Sequence, residues 1–144
     1  MSKGSRNKAR QAALQALYQW QLTGQAPDHI LREFIEERPL HGVEVEYFRE
    51  LLQQIPSHAE QLDELLKPHL DREIAEIDPI ERAILRLGAY ELAYQPAIPY
   101  KVVLNEAVDL AKIFGGEQGH RFVNAVLDKL AATLRAPELA PVSR

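Results

Sequence analysis

An all-α fold is what this sequence predicts, and three observations predict it. Apolar residues recur at three- and four-residue intervals along most of the chain. No segment sustains two-residue alternation, and no Asn-Gly or Asp-Gly hairpin dipeptide occurs. A first helix begins near Ser5 and is closed by Gly24 and Pro27. Asp28 is the N-cap candidate of a short second helix that ends before Pro39. After Gly42, a segment over about 44–54 places Val45, Phe48, Leu51, Leu52 and Ile55 on one face. Pro56-Ser57 restarts a helix carrying Leu62, Leu65 and Leu66, which stops before Pro68. A turn or short helix covers 71–77.

The second half is more sharply punctuated. Asp78-Pro79-Ile80-Glu81 combines an N-cap acid, proline at the first helical position and a glutamate three residues after the cap. The helix it opens carries Ile80, Ala83, Ile84, Leu85, Leu87, Ala89 and Leu92, apolar on most sides, and so belongs at the centre of a bundle. Pro96 and Pro99 stiffen a connector, and a helix follows from Tyr100 to Phe114 with Gly115 as its stop. A last helix spans about 119–134. The expected organisation is one domain over 1–135, with a flexible tail over 136–144 that holds Pro137 and Pro141.

A chain of 144 residues with 46% hydrophobic and 26% charged side chains can build one core. The absence of cysteine excludes disulfides, thiolate zinc sites and cysteine nucleophiles. No apolar run approaches the ~20 residues of a membrane span. The basic, polar start from Met1 to Arg10 does not read as a secretory signal, so a cytoplasmic protein is expected. The net charge of −4 is segregated. Lys3, Arg6, Lys8 and Arg10 precede the first acid, Asp28, whereas residues 28–81 hold fifteen acidic against five basic side chains. That segregation weakens the argument of an acidic protein against a polyanionic partner.

Catalytic constellations are sparse. His29, His41, His58, His69 and His120 fall at no metal-ligand spacing, and each suits a surface or helix-end position. The stretch 115–119 is glycine-rich, but it follows a helix and has neither the GxGxxG order nor the Walker lysine. The first helix says more. Ala13, Ala16, Leu17 and Trp20 form an apolar arc, and Asn7, Gln11, Gln15 and Gln19 an uncharged amide row on another side. Arg6 and Arg10 extend the apolar arc, so packing from about Ala13 onward would leave the first two turns projecting. There the arginines could hold an anion, or pair with the acidic middle. Arg121-Phe122 is a second candidate: an exposed aromatic beside a guanidinium suits unpaired nucleic acid, and a buried one is an ordinary core residue.

Four segments carry a resemblance. Residues 10–20 (RQAALQALYQW) resemble the first helix of the NusB transcription antitermination factor family, and 77–86 (IDPIERAILR) resemble its central helix. Residues 99–107 (PYKVVLNEA) and 114–129 are similar to its two final helices. The resemblance runs from about Lys8 to Leu130 and rests only on helical pattern between Pro27 and Leu70.

The resemblance implies two small helical bundles packed crosswise in one domain. It implies binding of single-stranded boxA RNA together with NusE, a small-subunit ribosomal protein, in the RNA polymerase antitermination complex that serves rRNA operons. The RNA role maps onto Arg6, Lys8, Arg10, Gln118, Arg121 and Phe122, and the NusE role onto Tyr18 and Glu81. No cofactor, metal, membrane or catalytic residue is implied. Gln118 stands where an acid is common in the family, and Gly119 where a serine is common. Both a monomer and a homodimer are compatible with the sequence. Two other readings stand beside this one: a helical scaffold without RNA binding, and a detached RNA-binding domain of an rRNA methyltransferase. The second conflicts with a chain that has no room for a Rossmann-like domain.

Overall fold

The computed structural model describes residues 5–116 and 118–139, and among them there is no β-strand. They fall into two compact units, divided between Ala59 and Glu60.

In the first unit, α1 (Arg6–Thr23) is started by Ser5, whose hydroxyl accepts from the Lys8 N–H. Gly24 ends it in the left-handed region at φ +71, where a side chain would be strained. Ser5 also makes a single parallel bridge with Val43, donating to Gly42 O and accepting from Glu44 N–H. α2 (Pro27–Glu37) corrects the expected cap. Ala26 is the cap residue and Pro27 takes the first helical position, because proline has no N–H to leave unsatisfied there. Asp28 therefore sits inside the first turn, where its charge still suits the positive helix end. α3 (Val45–Ser57) runs through Pro56 instead of restarting at it. Proline in a last turn forfeits one hydrogen bond, and the N–H of His58 still reaches Gln54 O and Ile55 O. α1, α2 and α3 pack pairwise, with Phe34 and Phe48 in ring contact at 5.6 Å.

In the second unit, α4 (Ala59–Leu66) leads into 3-10 turns at Lys67–His69 and Ile74–Glu76. Asp78 caps α5 (Pro79–Tyr94), accepting from the Ile80 and Glu81 N–H groups. α6 (Tyr100–Phe114) and α7 (Gly119–Leu134) pack against α5 and each other. α5 is buried on nearly all sides, from Ala83 to Leu92, as its apolar composition predicts. Gly88 lets α7 approach: a Cβ there would lie 2.6 Å from Leu127 Cδ1. The Arg86 guanidinium clasps both carboxylate oxygens of Asp63 at 2.9 and 2.8 Å, tying α5 to α4.

Where a tail is expected from residue 136, Ala136–Leu139 form a last helical turn, α8. Arg135 is buried and donates to the carbonyls of Glu91, Leu92, Gln95 and Ile98. It also pairs with Glu138, which accepts from the Tyr100 N–H. Residues 140–144 of the expected tail lie outside the described residues.

Candidate nucleic-acid interface

The basic start of α1 is held differently from the expectation. Packing begins at Ala9, a turn earlier than the arc from Ala13 predicts. Arg10 is only 4% exposed, with its guanidinium 5.7 Å from the centroid of the Tyr47 ring. The expectation that Arg10 projects beyond the core is thereby corrected. The backbone bridge at Ser5 and the Tyr47 ring of α3 draw the first turn onto the unit, so the guanidinium is enclosed and unsuited to an incoming phosphate. Arg6 stays exposed over the same ring at 4.3 Å, within 3.5 Å of Glu44. An exposed pair of that kind contributes little and can exchange for another anion. Lys8 is exposed, its ammonium lying against Gly42.

The second candidate stands at the start of α7. Gln118 occupies the cap position without a side-chain cap bond and is exposed, as is Arg121. Phe122 is half-buried, between the core and stacking alternatives, and the Arg72 guanidinium lies 4.8 Å from its ring centroid. Arg72 in turn pairs with Asp71 at 2.9 Å. Sequence reasoning misses Arg72 and Tyr47, since each reaches its site across tens of residues and neither lies in a recognisable motif.

Glu81 is half-buried beside this end of α7. A Cβ on Gly119 would lie 2.8 Å from Glu81 Oε2, so the glycine gives the carboxylate its room. That contact explains why glycine suits position 119, and it takes the Glu81 carboxylate to α7 as well as leaving its N–H on the Asp78 cap. Burial first, and then the negative Asp78, push the Glu81 carboxyl above its ordinary range, while Arg72 opposes them. Tyr18 is half-buried on α1. A cleft of about 730 Å³ in the second unit is lined by Glu60, Asp63, Glu64, Asp71 and Glu73, with Lys67 and Arg72 among them. Its sign is wrong for a polyanion. Among the described residues no group of three His, Asp or Glu side chains is placed to hold a metal ion.

These two units define an all-α class of protein with exposed arginines in the first turns of α1 and α7. The chain belongs to the NusB family, whose family model matches residues 7–132. It is 58% identical over 133 residues to the transcription antitermination protein NusB of Nitrosococcus oceani, covering 92% of this chain and 89% of that one. It is 53% identical to the NusB protein of Shewanella amazonensis over 132 residues, 92% of this chain and 98% of the relative. Among solved structures it is similar to a crystal structure of antitermination factors NusB and NusE in complex with dsRNA. That match has a TM-score of 0.81 and 32% identity, over 89% of this chain and 96% of the other. T. maritima NusB matches with a TM-score of 0.79 and 28% identity, over 90% and 92% of the two chains. No helix among the described residues is long and apolar enough to cross a membrane.

Proposed function

We propose that the chain is a non-catalytic transcription antitermination factor of the bacterial cytoplasm. It binds boxA-type single-stranded RNA together with NusE, with residues 1–135 as the RNA-binding domain. The exposed Arg121, next in sequence to the half-buried Phe122, together with the exposed Arg72 lying against the Phe122 ring, is the observation that carries this reading. Guanidinium groups pair with phosphates, and an unpaired base stacks on an aromatic or guanidinium plane. Arg6, Lys8 and Gln118 supply further exposed contacts, while Arg10 acts through the packing of α1. Tyr18 and Glu81 are assigned to the NusE surface, where the Glu81 carboxylate would meet a basic side chain. The solved relative with NusE and RNA supports both partners.

The test measures binding of a boxA-like RNA, single-stranded and as a duplex, with and without NusE. Preference for the single strand, strengthened by NusE, is expected. Because the solved relative holds dsRNA, equal affinity for the duplex would overturn the stacking reading in particular. NusE binding with no RNA binding at all would leave a helical scaffold. Phe122→Ala should cost ~1–3 kcal/mol in RNA affinity, the value of one lost base stack. If instead folding stability falls by the ~3–5 kcal/mol of a truncated core phenylalanine and RNA binding is normal, Phe122 is structural.

A further inference from the structure

Within the first unit, α1, α2 and the loop after α2 enclose a groove of about 500 Å³, within the range of small-ligand sites. Lys8, Gln11 and Gln15 line it from α1, Phe34 from α2, and Arg38 and His41 from the loop. Among the described residues, none of the side chains lining it is a carboxylate. Part of the wall comes from the acid-free start of the chain, and Phe34, Arg38 and His41 join it from the stretch 28–81, where acids outnumber bases threefold. The cations at the groove therefore face an incoming anion without a competing acid in the wall.

The groove also has a floor for a planar group. The Arg38 guanidinium stands 4.2 Å from the centroid of the Phe34 ring. Phe34 is buried and Arg38 exposed, so the ring backs the guanidinium from the core side and leaves its outer side to the groove. A backed guanidinium plane is a stacking platform for a base. Beside it lies the amide row of α1, ordered by its own bonds. Gln11 donates to Asn7 Oδ1 at 2.9 Å, Gln15 donates to Gln11 O at 3.4 Å, and Gln15 Oε1 accepts from Arg38 at 3.5 Å. Each carboxamide carries both donor and acceptor capacity, which is what the edge of a base requires. At the rim, Gly42 at φ +75 makes room for the Lys8 ammonium, which a Cβ would approach to 2.9 Å.

We infer that this groove binds one nucleotide. The base stacks on Arg38 with its edge on Gln11 and Gln15, and the phosphate lies on Lys8 and His41. As a nucleotide of a bound RNA strand, the ligand rests on the RNA-binding reading above; a free mononucleotide has the same chemistry. Two titrations of the full chain separate the sources. One uses a fluorescein-labelled boxA-like single strand, the other uridine or adenosine 5′-monophosphate followed by amide chemical shifts. Each is run on wild type, Arg38→Lys, Gln15→Met and, outside the groove, Arg121→Ala.

Arg38→Lys keeps the charge and loses the plane, so RNA affinity should fall roughly 5- to 100-fold with the salt dependence unchanged. If Arg38→Lys melts early, Gln15→Met, which keeps length and loses the amide, decides in its place. Wild-type RNA affinity in the deciding variant, with Arg121→Ala impaired, overturns the groove and leaves the RNA reading standing. If wild type binds no RNA, that reading fails. Mononucleotide-induced shifts confined to residues 8–15 and 38–43 would then support a free nucleotide, and their absence would overturn the groove as well.

Discussion

Arg10 shows how a single residue can change role once its surroundings are known. Its position on the extension of an apolar arc suits either an RNA contact or a buried brace, and its 4% exposure beside Tyr47 selects the brace. Arg10→Ala is therefore expected to lower folding stability by ~1–3 kcal/mol, through lost packing of the side-chain stem and guanidinium. Chemical denaturation checks this, and an unchanged midpoint would return Arg10 to the surface. Glu81 carries a second residue-scale prediction. Its carboxyl is raised by burial and by Asp78, so the folded chain holds its proton more tightly than the unfolded chain. Charged Glu81 then costs stability once the pH exceeds the folded-state pKa, and the cost disappears below the unfolded-state pKa. Glu81→Gln should be more stable than wild type near pH 7 and match it at acid pH. Urea unfolding at several pH values tests this, and a variant less stable near pH 7 would show that the helix N-termini favour the charge more than burial opposes it.

At the scale of elements, the C-terminal end of α5 depends on a residue far away in sequence. Helix ends leave carbonyls without intrahelical partners, and here the buried Arg135 donates to Leu92 O and to Ile98 O in the connector, and adds a second donor to Glu91 O and Gln95 O. One guanidinium thus joins the ends of α5 and α7, and α8 adds Glu138 to it. Arg135→Met would take the guanidinium from all four carbonyls, but Glu91 O and Gln95 O keep the N–H groups of Gln95 and Ile98, so Leu92 O and Ile98 O lose the donor that serves them. Each unsatisfied group costs ~1–3 kcal/mol, so the two together predict a loss of about 2–6 kcal/mol. Arg135→Lys should recover only part of it, because an ammonium has three donors and no fork. A loss below ~1 kcal/mol in Arg135→Met, read by thermal or urea unfolding, would mean that water replaces the guanidinium.

For the molecule as a whole, the distribution of charge matters more than its sum. A net −4 would suggest repulsion from RNA, yet Arg6, Lys8 and Arg121 are all exposed. Charges beyond a Debye length of ~8 Å are largely screened, so the near neighbours of each cation govern contact; for Arg6 these include Glu44 at 3.5 Å. With about three phosphates neutralised, the slope of log affinity against log salt for a single strand should be roughly −2. A salt titration of boxA-like RNA binding measures it. A slope near zero would remove the electrostatic part of the proposed function.

Helix positions were legible in the sequence because their causes are local. Ser5, Gly24, Asp78-Pro79 and Gly115 act on neighbouring backbone groups, and the apolar spacing of α5 reports its enclosure without reference to any partner. Where local rules competed, boundaries moved: Pro27 displaced Asp28 from the cap, and α3 continued through Pro56 because a last turn tolerates a missing N–H. Arg121-Phe122 was also visible, as an aromatic next to a cation at a helix start, whereas Gln118 entered only through the family resemblance. The sequence could not supply the partner of each long cationic side chain. Arg10 on Tyr47, Arg72 on Phe122 and Arg135 on four carbonyls join residues 37 to 50 positions apart in no motif, whereas Arg38 on Phe34 is a local contact four residues away. A guanidinium on a flexible stem can reach several neighbours, so its burial and its bonds follow from which helices pack together. Tertiary structure alone decided which arginines brace the fold and which stay available to a ligand.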